Sequence, residues 1–478
     1  MDRRLGENIF LNASYNILSI LVPFVTAPYL GRVLGAANIG EYTYVYSVAS
    51  YFVMFGLLGI NNYGTREIAK VRDDREKRSK TFWEIYYMQC LTGAIALLSY
   101  LLYAITISKS SGIGCNVMAF YVATSAIDCV WYCSGVEKFG DIVARNAAIK
   151  FVNLICIFTF VHQSTDLGLY FIIMALSYLL SATLLWPLVL KEVDFYRPDW
   201  SSLKKHLKPN FFLFVPAIAA SIYQIMDKVM IGAIASKSQL AYYEYADKII
   251  NIPNIIFGSI GAVMLSRMSH VLEHNRNQFQ RLISYSIDLS FLISVGFAFG
   301  AFSIGNELVA IYYGPNFIAS SSILKILSPI VILYGWNNVL RMQYIIPKNL
   351  NSIYISSTVA GAAINLLLNF IFIPRFGAEG ATIGTIAAQC AITFFYTFQI
   401  RANLPFRQFF INNVVLFVIG LFMSSIIFMI QRMHTVSVTG LIIDIFIGMV
   451  IYCGLCLVYG RYNKHHLLNQ IYLLLFRR

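Results

Sequence analysis

Apolar runs about as long as a bilayer-spanning helix recur along this chain, and they restrict its fold more than any other feature. A helix needs ~20 apolar residues to cross the hydrocarbon of a bilayer, and lipid admits only helices and closed barrels as spanning structures. Barrel strands would appear as short alternating patterns, which this sequence lacks. We therefore predict an all-α polytopic membrane protein with about 14 spans, at 9–31, 40–62, 81–107, 114–136, 144–162, 168–190, 210–234, 242–265, 281–303, 320–345, 352–373, 378–400, 409–431 and 438–460.

The charges support this class and predict an orientation. Only 12% of the 478 residues are charged and 58% are hydrophobic, which is too little charge for the surface of a soluble protein. The net charge of +13 does not indicate nucleic-acid binding, because 26 of the 36 Lys and Arg residues lie at the termini or in and beside alternate loops. Loops rich in Lys and Arg stay in the cytoplasm, so we expect both termini there.

The loops after spans two and eight correspond, which indicates an internal repeat. They read TREIAKVRDDREKRSKTF and SRMSHVLEHNRNQFQRLI, and one offset aligns Gly31, Tyr42, Tyr44 and Arg66 with Gly232, Tyr243, Tyr245 and Arg267. Because each half holds six spans, both halves begin on the same side of the membrane and the repeat is parallel. We predict an N-lobe at 1–209, a C-lobe at 210–408, and two accessory spans with a cytoplasmic tail at 409–478.

Polar side chains gather on spans one, two, seven and eight, which are equivalent pairs in the two halves. Ionisable groups inside a membrane are costly, so they pair with one another or face water. The helical period places the polar residues of span eight on one face, and we expect the four spans to line a central cavity between the lobes. We assign substrate binding to Lys228, Lys248, Arg32, Tyr223, Gln224, Asn251 and Asn16. We assign ion coupling or ion pairing to Asp227, Glu244, Asp247, Glu41 and Asp128.

Other interpretations of these residues stay open. Arg32 and Glu41 lie near span ends, where they could snorkel to the headgroups or neutralise other charges. Asp128 could bond between helices of one lobe or face the cavity. Weaker candidates on spans ten and eleven are Trp336, Asn337, Asn338, Arg341, Asn365 and Asn369, among which the amides often join helices instead.

The eight cysteines do not indicate a metal or redox centre. Cys129 and Cys133 are one helical turn apart and Cys453 and Cys456 have CxxC spacing, but no histidine or second pair accompanies them. Cysteines within apolar spans usually act as small buried hydrophobes. We expect no metal, no cofactor and no catalytic cluster, and therefore a protein that is not an enzyme.

Several stretches, in order and at matching spacing, resemble those of one known family. AIDCVWYCSGVEKFGDIVARN is similar to its D-x-x-W-x-x-x-G-x-E-x-F-x-x-I-x-x-R-N motif, and PYLGRVLGAANIGEYTYVYSVASYF, FLFVPAIAASIYQIMDKVMIG, AYYEYADKIINIP and NFIFIPRFGAEGATIGT resemble other family segments. The family is that of the bacterial polysaccharide repeat-unit flippases, the Wzx-type members of the multidrug/oligosaccharidyl-lipid/polysaccharide exporter (MOP) superfamily. By position, the motif residues are Asp128, Gly135, Glu137, Phe139, Arg145, Asn146, Asp227, Lys228, Gly232, Tyr243 and Lys248.

The resemblance implies a function in the bacterial inner membrane. The substrate would be an undecaprenyl-pyrophosphate-linked oligosaccharide repeat unit, flipped to the outer leaflet by alternating access coupled to an ion gradient. Its product would be O-antigen, capsule or exopolysaccharide. Membrane lipid is an expected partner, and a glycan polymerase and a chain-length regulator remain open as further ones. A multidrug exporter of the same superfamily and a membrane glycan polymerase are the alternatives, although the short outer loops disfavour the polymerase.

Overall fold

The structure, a computed structural model, describes residues 3–106, 112–462 and 468. Side chains are described from residue 21 onward, apart from a few positions that include Tyr223. These residues form helices joined by short turns, with no strand among them. Contacts within the chain define two compact units, one from Met1 to Ser221 and one from Ile222 to Arg478.

Unit 1 contains nine α-helices, counted over its described residues. They are α1 (Arg3–Leu57), α2 (Ile60–Val71), α3 (Arg75–Thr106), α4 (Gly112–Ile127), α5 (Val130–Gly135), α6 (Phe139–Phe160), α7 (Leu167–Thr183), α8 (Trp186–Glu192) and α9 (Trp200–Ser221). The backbone of α1 breaks at Gly35, whose φ of 76° lies in the left-handed region that glycine adopts readily. This break separates the first two predicted spans, so α1 contains span one and most of span two.

Unit 2 contains eight α-helices in the part that the structure describes. They are α10 (Asp227–Ile234), α11 (Lys237–His274), α12 (Arg276–Tyr312), α13 (Ala319–Leu327), α14 (Ile330–Leu340), α15 (Asn351–Ile400), α16 (Phe406–Gln431) and α17 (Val438–Tyr462). Helix α15 breaks at Gly377, where φ is 56°. A Cβ at Gly377 would collide with the Gln239 side chain, whose Oε1 accepts a hydrogen bond of 2.9 Å from the Ala378 N–H. Glycine is therefore required both for the backbone angle and for this close approach.

The helices match the predicted spans. Ten described helical segments are long and apolar enough to cross a membrane, and an eleventh is a bent pair, Ala319–Leu327 with Ile330–Ile345. The broken helices α1 and α15 account for spans one, two, eleven and twelve, and span seven corresponds to the end of α9, a π-helical turn at Ile222–Met226, and α10. The predicted all-α polytopic class is confirmed, and the division into six-span lobes stays a prediction.

Candidate functional site

Four charged residues of spans seven and eight form one ion-pair cluster, which we call the lysine cluster: Lys228, Glu244, Asp247 and Lys248. The Lys228 Nζ lies 2.6 Å from Glu244 Oε2 and 3.3 Å from Asp247 Oδ2, and the Lys248 Nζ lies 3.4 Å from Glu244 Oε1. Asn251 donates a 2.7 Å hydrogen bond to Asp247 Oδ1. The two ammonium groups balance the two carboxylates, so the cluster as a whole carries no net charge.

The two lysines of this cluster differ in exposure. The Lys228 side chain is 20% exposed and bridges two acids, whereas the Lys248 side chain is 38% exposed and meets one acid. The Lys248 Nζ also lies 4.8 Å from the centre of the Tyr245 ring, a distance suited to a cation–π contact. Lys248 is therefore the cation of the cluster that an anion from solution reaches with the least rearrangement.

Asp227 points away from Lys228 into a separate buried group. Its Oδ1 accepts a 2.6 Å hydrogen bond from Asn369, and its Oδ2 accepts bonds from Thr385 at 2.5 Å and Tyr243 at 3.0 Å. Asn365 Oδ1 in turn accepts a 3.2 Å bond from Asn369. We call these five residues the Asp227 group. They come from α10, α11 and both halves of α15, and all five are buried.

A third polar region of unit 2 is a small cavity of about 150 Å³. Amide, phenol and guanidinium side chains dominate its lining, which includes Gln224, Asn254, Tyr334, Asn337, Asn338, Arg341, Tyr354, Gln389 and Tyr396. Such groups offer both donors and acceptors, as sugar hydroxyls require. Three of the weaker candidates of span ten, Asn337, Asn338 and Arg341, thus share this cavity with Gln224, whereas Trp336 donates a hydrogen bond to Thr397 instead.

The sequence also assigned Arg32, Glu41, Asn16 and Tyr223 to the site. Arg32 is exposed and Glu41 is half-buried. Asn16 and Tyr223 have side chains outside the described set. The assignment of all four to substrate binding or ion pairing stays a prediction.

The family motif at 126–146 has a structural role in unit 1. Asp128 lies where α4 ends and α5 begins, and its Oδ1 accepts a 3.0 Å bond from the Val130 N–H. This local bond satisfies one of the N–H groups that the start of a helix leaves free. Trp131 is buried, donates a 2.9 Å bond to Gln89, and packs so closely on Gly64 that a Cβ there would lie 2.5 Å from the ring. The motif therefore fixes the packing of α5 on α2 and α3.

The charged residues of the motif join neighbouring segments. Glu137 pairs with Arg72, Lys138 with Glu192, and Arg145 donates a 2.6 Å bond to the Ser181 carbonyl. Glu137 also has a positive φ of 61°, which fixes the turn before α6. These bonds explain why charge follows the apolar helix α4 at this point of the sequence.

One buried polar group of unit 1 was missed at the sequence level. The Glu84 Oε2 lies 2.7 Å from Lys205 Nζ and 3.0 Å from His206 Nε2, and His206 Nδ1 lies 2.6 Å from the Tyr63 hydroxyl. Glu84 is 2% exposed. A single acid near the start of span three was the available signal, but nothing in the sequence indicates partners on α2 and α9.

The comparisons with known proteins give the family. The chain matches the family model described as "Polysaccharide biosynthesis protein" over residues 5–272. It belongs to the polysaccharide biosynthesis protein family. A second family model, "Lipid II flippase MurJ", matches residues 147–448. Membership confirms the predicted relationship to Wzx-type flippases of the MOP superfamily.

Relatives of this family member include transporters and flippases. A putative O-antigen transporter from Escherichia coli is 24% identical over 403 residues, covering 84% of this chain and 97% of that protein. A probable low-salt glycan biosynthesis flippase from Haloferax volcanii is also 24% identical, over 58% of this chain and 59% of that protein.

Solved structures show the same fold. The lipid II flippase MurJ in an inward closed conformation has a TM-score of 0.75 at 16% identity, with 95% of this chain and 99% of that one covered. An inward-facing multidrug resistance MATE transporter has a TM-score of 0.57 at 12% identity, with 80% and 98% covered. At these identities the likeness concerns the fold alone.

Proposed function

We propose that this protein is a flippase that moves lipid-linked oligosaccharide repeat units from the cytoplasmic to the outer leaflet of the plasma membrane. Membership of the polysaccharide biosynthesis family is the observation that carries this proposal. Relatives named as an O-antigen transporter and a glycan biosynthesis flippase support it, and they favour transport over an enzymatic reaction.

The polar chemistry of unit 2 suits the head of such a lipid. A pyrophosphate glycan cannot enter hydrocarbon unaided, because burial of its unpaired charge is very unfavourable. The polyprenyl tail needs no polar environment. We assign the sugar hydroxyls to the amide- and tyrosine-lined cavity around Gln224, and the pyrophosphate to the lysine cluster, where Lys248 would exchange its carboxylate partner for a phosphate oxygen.

We further propose that translocation uses alternating access and that Asp227 takes up the coupling cation or proton. Thr385 Oγ1 lies within hydrogen-bond distance of Asp227, of Tyr243 and of the Ala381 carbonyl, although it has one proton to donate. The buried Asn369 Oδ1 accepts no hydrogen bond. Asn365 Nδ2 donates no hydrogen bond either, so the group as a whole does not lack donors. The Asp227 carboxylate itself is buried and forms no ion pair among the described residues, and a bound cation or an extra proton would balance its charge.

A deletion strain tests the function. Lipid-linked single repeat units should accumulate and stay protected from a membrane-impermeant oxidant of sugars added to intact spheroplasts. Repeat units that become accessible to the oxidant in the deletion strain would contradict the proposal and indicate a lost polymerase. Unchanged glycan together with new drug sensitivity would instead indicate a multidrug exporter.

Replacing Lys248 by Ala should abolish surface glycan while the protein remains in the membrane at its normal level. The substitution removes the more exposed cation of the lysine cluster. Immunoblots of membranes and electrophoresis of surface glycan measure the two quantities. Lys325→Ala is the matched control, because Lys325 is a half-buried lysine of α13 that makes no ion pair with the cluster. Undiminished glycan in Lys248→Ala would refute the role of Lys248.

A further inference from the structure

Three potential metal ligands converge where the turn between α16 and α17 meets α12. Glu307 lies near the end of α12, His434 lies in the turn, and Asp444 lies in the second turn of α17. One ligand atom from each lies within 4.8 Å of both others. These three residues belong to none of the sites proposed above.

The two carboxylates are deeply buried, and neither pairs with a lysine or an arginine among the described residues. Glu307 is 5% exposed and Asp444 is fully buried. Glu307 Oε2 and Asp444 Oδ2 have no hydrogen-bond partner. Among the described residues, no lysine or arginine lies within ion-pair distance of either carboxylate, and His434 Nε2 lies 3.2 Å from Asp444 Oδ1. Buried carboxylates usually have such partners or bind metals.

The contact made by His434 Nδ1 limits which protonation states Nε2 can have. His434 Nδ1 lies 3.2 Å from the Thr435 carbonyl, which can only accept a hydrogen bond, so Nδ1 carries a proton. In a neutral ring Nε2 then presents a lone pair towards the Asp444 carboxylate, and two acceptors cannot bond. Either a proton, on Nε2 or on the carboxyl group, or a metal cation therefore lies between Nε2 and Asp444. A backbone carbonyl that holds Nδ1–H is the arrangement that orients histidine ligands in metal sites.

The imidazole ring is also held in place by close packing. A Cβ at Gly440 would lie 2.7 Å from ring atoms of His434, so the ring occupies space that only glycine leaves open. Gln431, at the end of α16, donates a 3.3 Å bond to the Ser303 carbonyl of α12 and fixes the turn on the other side.

Charge balance at this buried place can be reached in two ways. Protons alone must occupy both Nε2 and one carboxyl group, whereas one divalent cation balances both carboxylates with a neutral imidazole. We propose that Glu307, His434 and Asp444 bind a divalent transition-metal ion, and that this ion joins α17 and the preceding turn to α12. One nitrogen and two carboxylate oxygens are a ligand set that Zn²⁺ accepts, with a water as fourth ligand.

The test uses the full chain, purified without a histidine tag and reconstituted in lipid nanodiscs. After exposure to Zn²⁺ and gel filtration, mass spectrometry of the metal should find about one Zn²⁺ per chain, as expected for one three-ligand site. Zn²⁺, but not Mg²⁺, should raise the Tm by about 3 °C or more at saturating metal. His434→Ala and Glu307→Gln should lose both effects.

His162→Gln is the matched control, because His162 is an exposed histidine of a loop in unit 1. It should keep the metal and the Tm shift. Acid should release the metal, since Nε2 must be unprotonated to bind it. Wild-type protein that retains no more Zn²⁺ than His434→Ala would overturn the proposal, as would retention by every variant, which would indicate binding at cysteines. Glu307→Gln keeps the size of the side chain, so it still tests the site if His434→Ala fails to fold.

Discussion

Replacing Asp227 by Asn is expected to reduce glycan translocation by about tenfold or more. A loss of this size is what a typical coupling free energy between an ion site and a substrate site produces. Asparagine keeps the size of the side chain but removes the negative charge and replaces one acceptor oxygen by a donor. In the Asp227 group, Thr385 and Tyr243 donate to Asp227 Oδ2 and Asn369 donates to Oδ1. The amide would leave one of these donors opposite another donor, and it would no longer attract a cation or bind a proton.

The measurement is the initial rate of lipid-linked glycan movement in proteoliposomes with and without an imposed cation gradient. Asp288→Asn is the control, because Asp288 is also a buried acid of unit 2 that accepts a 2.7 Å bond from an asparagine, Asn413. Asp288→Asn should retain its response to the gradient, whereas Asp227→Asn should respond no more than empty vesicles. A full gradient response in Asp227→Asn would contradict the assignment of ion coupling to Asp227.

Replacing Lys228 by Met should destabilise unit 2 by roughly 3 kcal/mol, the usual effect of removing one partner from a buried ion pair. Lys228 bridges Glu244 and Asp247, and both acids are at most about one-fifth exposed. Without the Lys228 ammonium group, Lys248 is the one cation left in a cluster with two carboxylates, and it contacts only Glu244. Methionine retains most of the length of the side chain, so the loss arises mainly from charge rather than packing.

The apparent Tm in detergent measures this effect, and a second substitution separates charge from packing. Adding Glu244→Gln to Lys228→Met removes the one unbalanced negative charge of the cluster and should restore part of the lost Tm. Glu244→Gln alone should lower the Tm as well, so that the two effects are not additive. Additive losses would show that the lysine cluster is not one interacting unit.

The sequence was sufficient to predict the helices but not all of their partners. The helical periodicity and the hydropathy of the sequence located the spans, because a bilayer requires long apolar helices whatever their neighbours are. The same period brought Glu244, Asp247, Lys248 and Asn251 onto one face of α11, where the structure has them beside Lys228. A regular helix makes such predictions reliable because its geometry is local.

Helical periodicity could not predict contacts between residues that are distant in sequence. Asp227 and Lys228 are neighbours, yet one enters the Asp227 group and the other the lysine cluster, because successive residues of a helix point in different directions. The partners of Asp227 on α15 follow it by 142 and 158 residues. Only the packing of α15, with its break at Gly377, determines that contact. The same holds for Glu307, His434 and Asp444.

The most direct test of the account is transport by the purified protein. Proteoliposomes would carry a fluorescent undecaprenyl-pyrophosphate oligosaccharide in both leaflets, and an impermeant quencher would be added outside. The account predicts that wild-type protein exposes the inner-leaflet glycan to the quencher under an ion gradient, while Lys248→Ala does not. Quenching that stops at the outer leaflet with wild-type protein, as in empty vesicles, would contradict it.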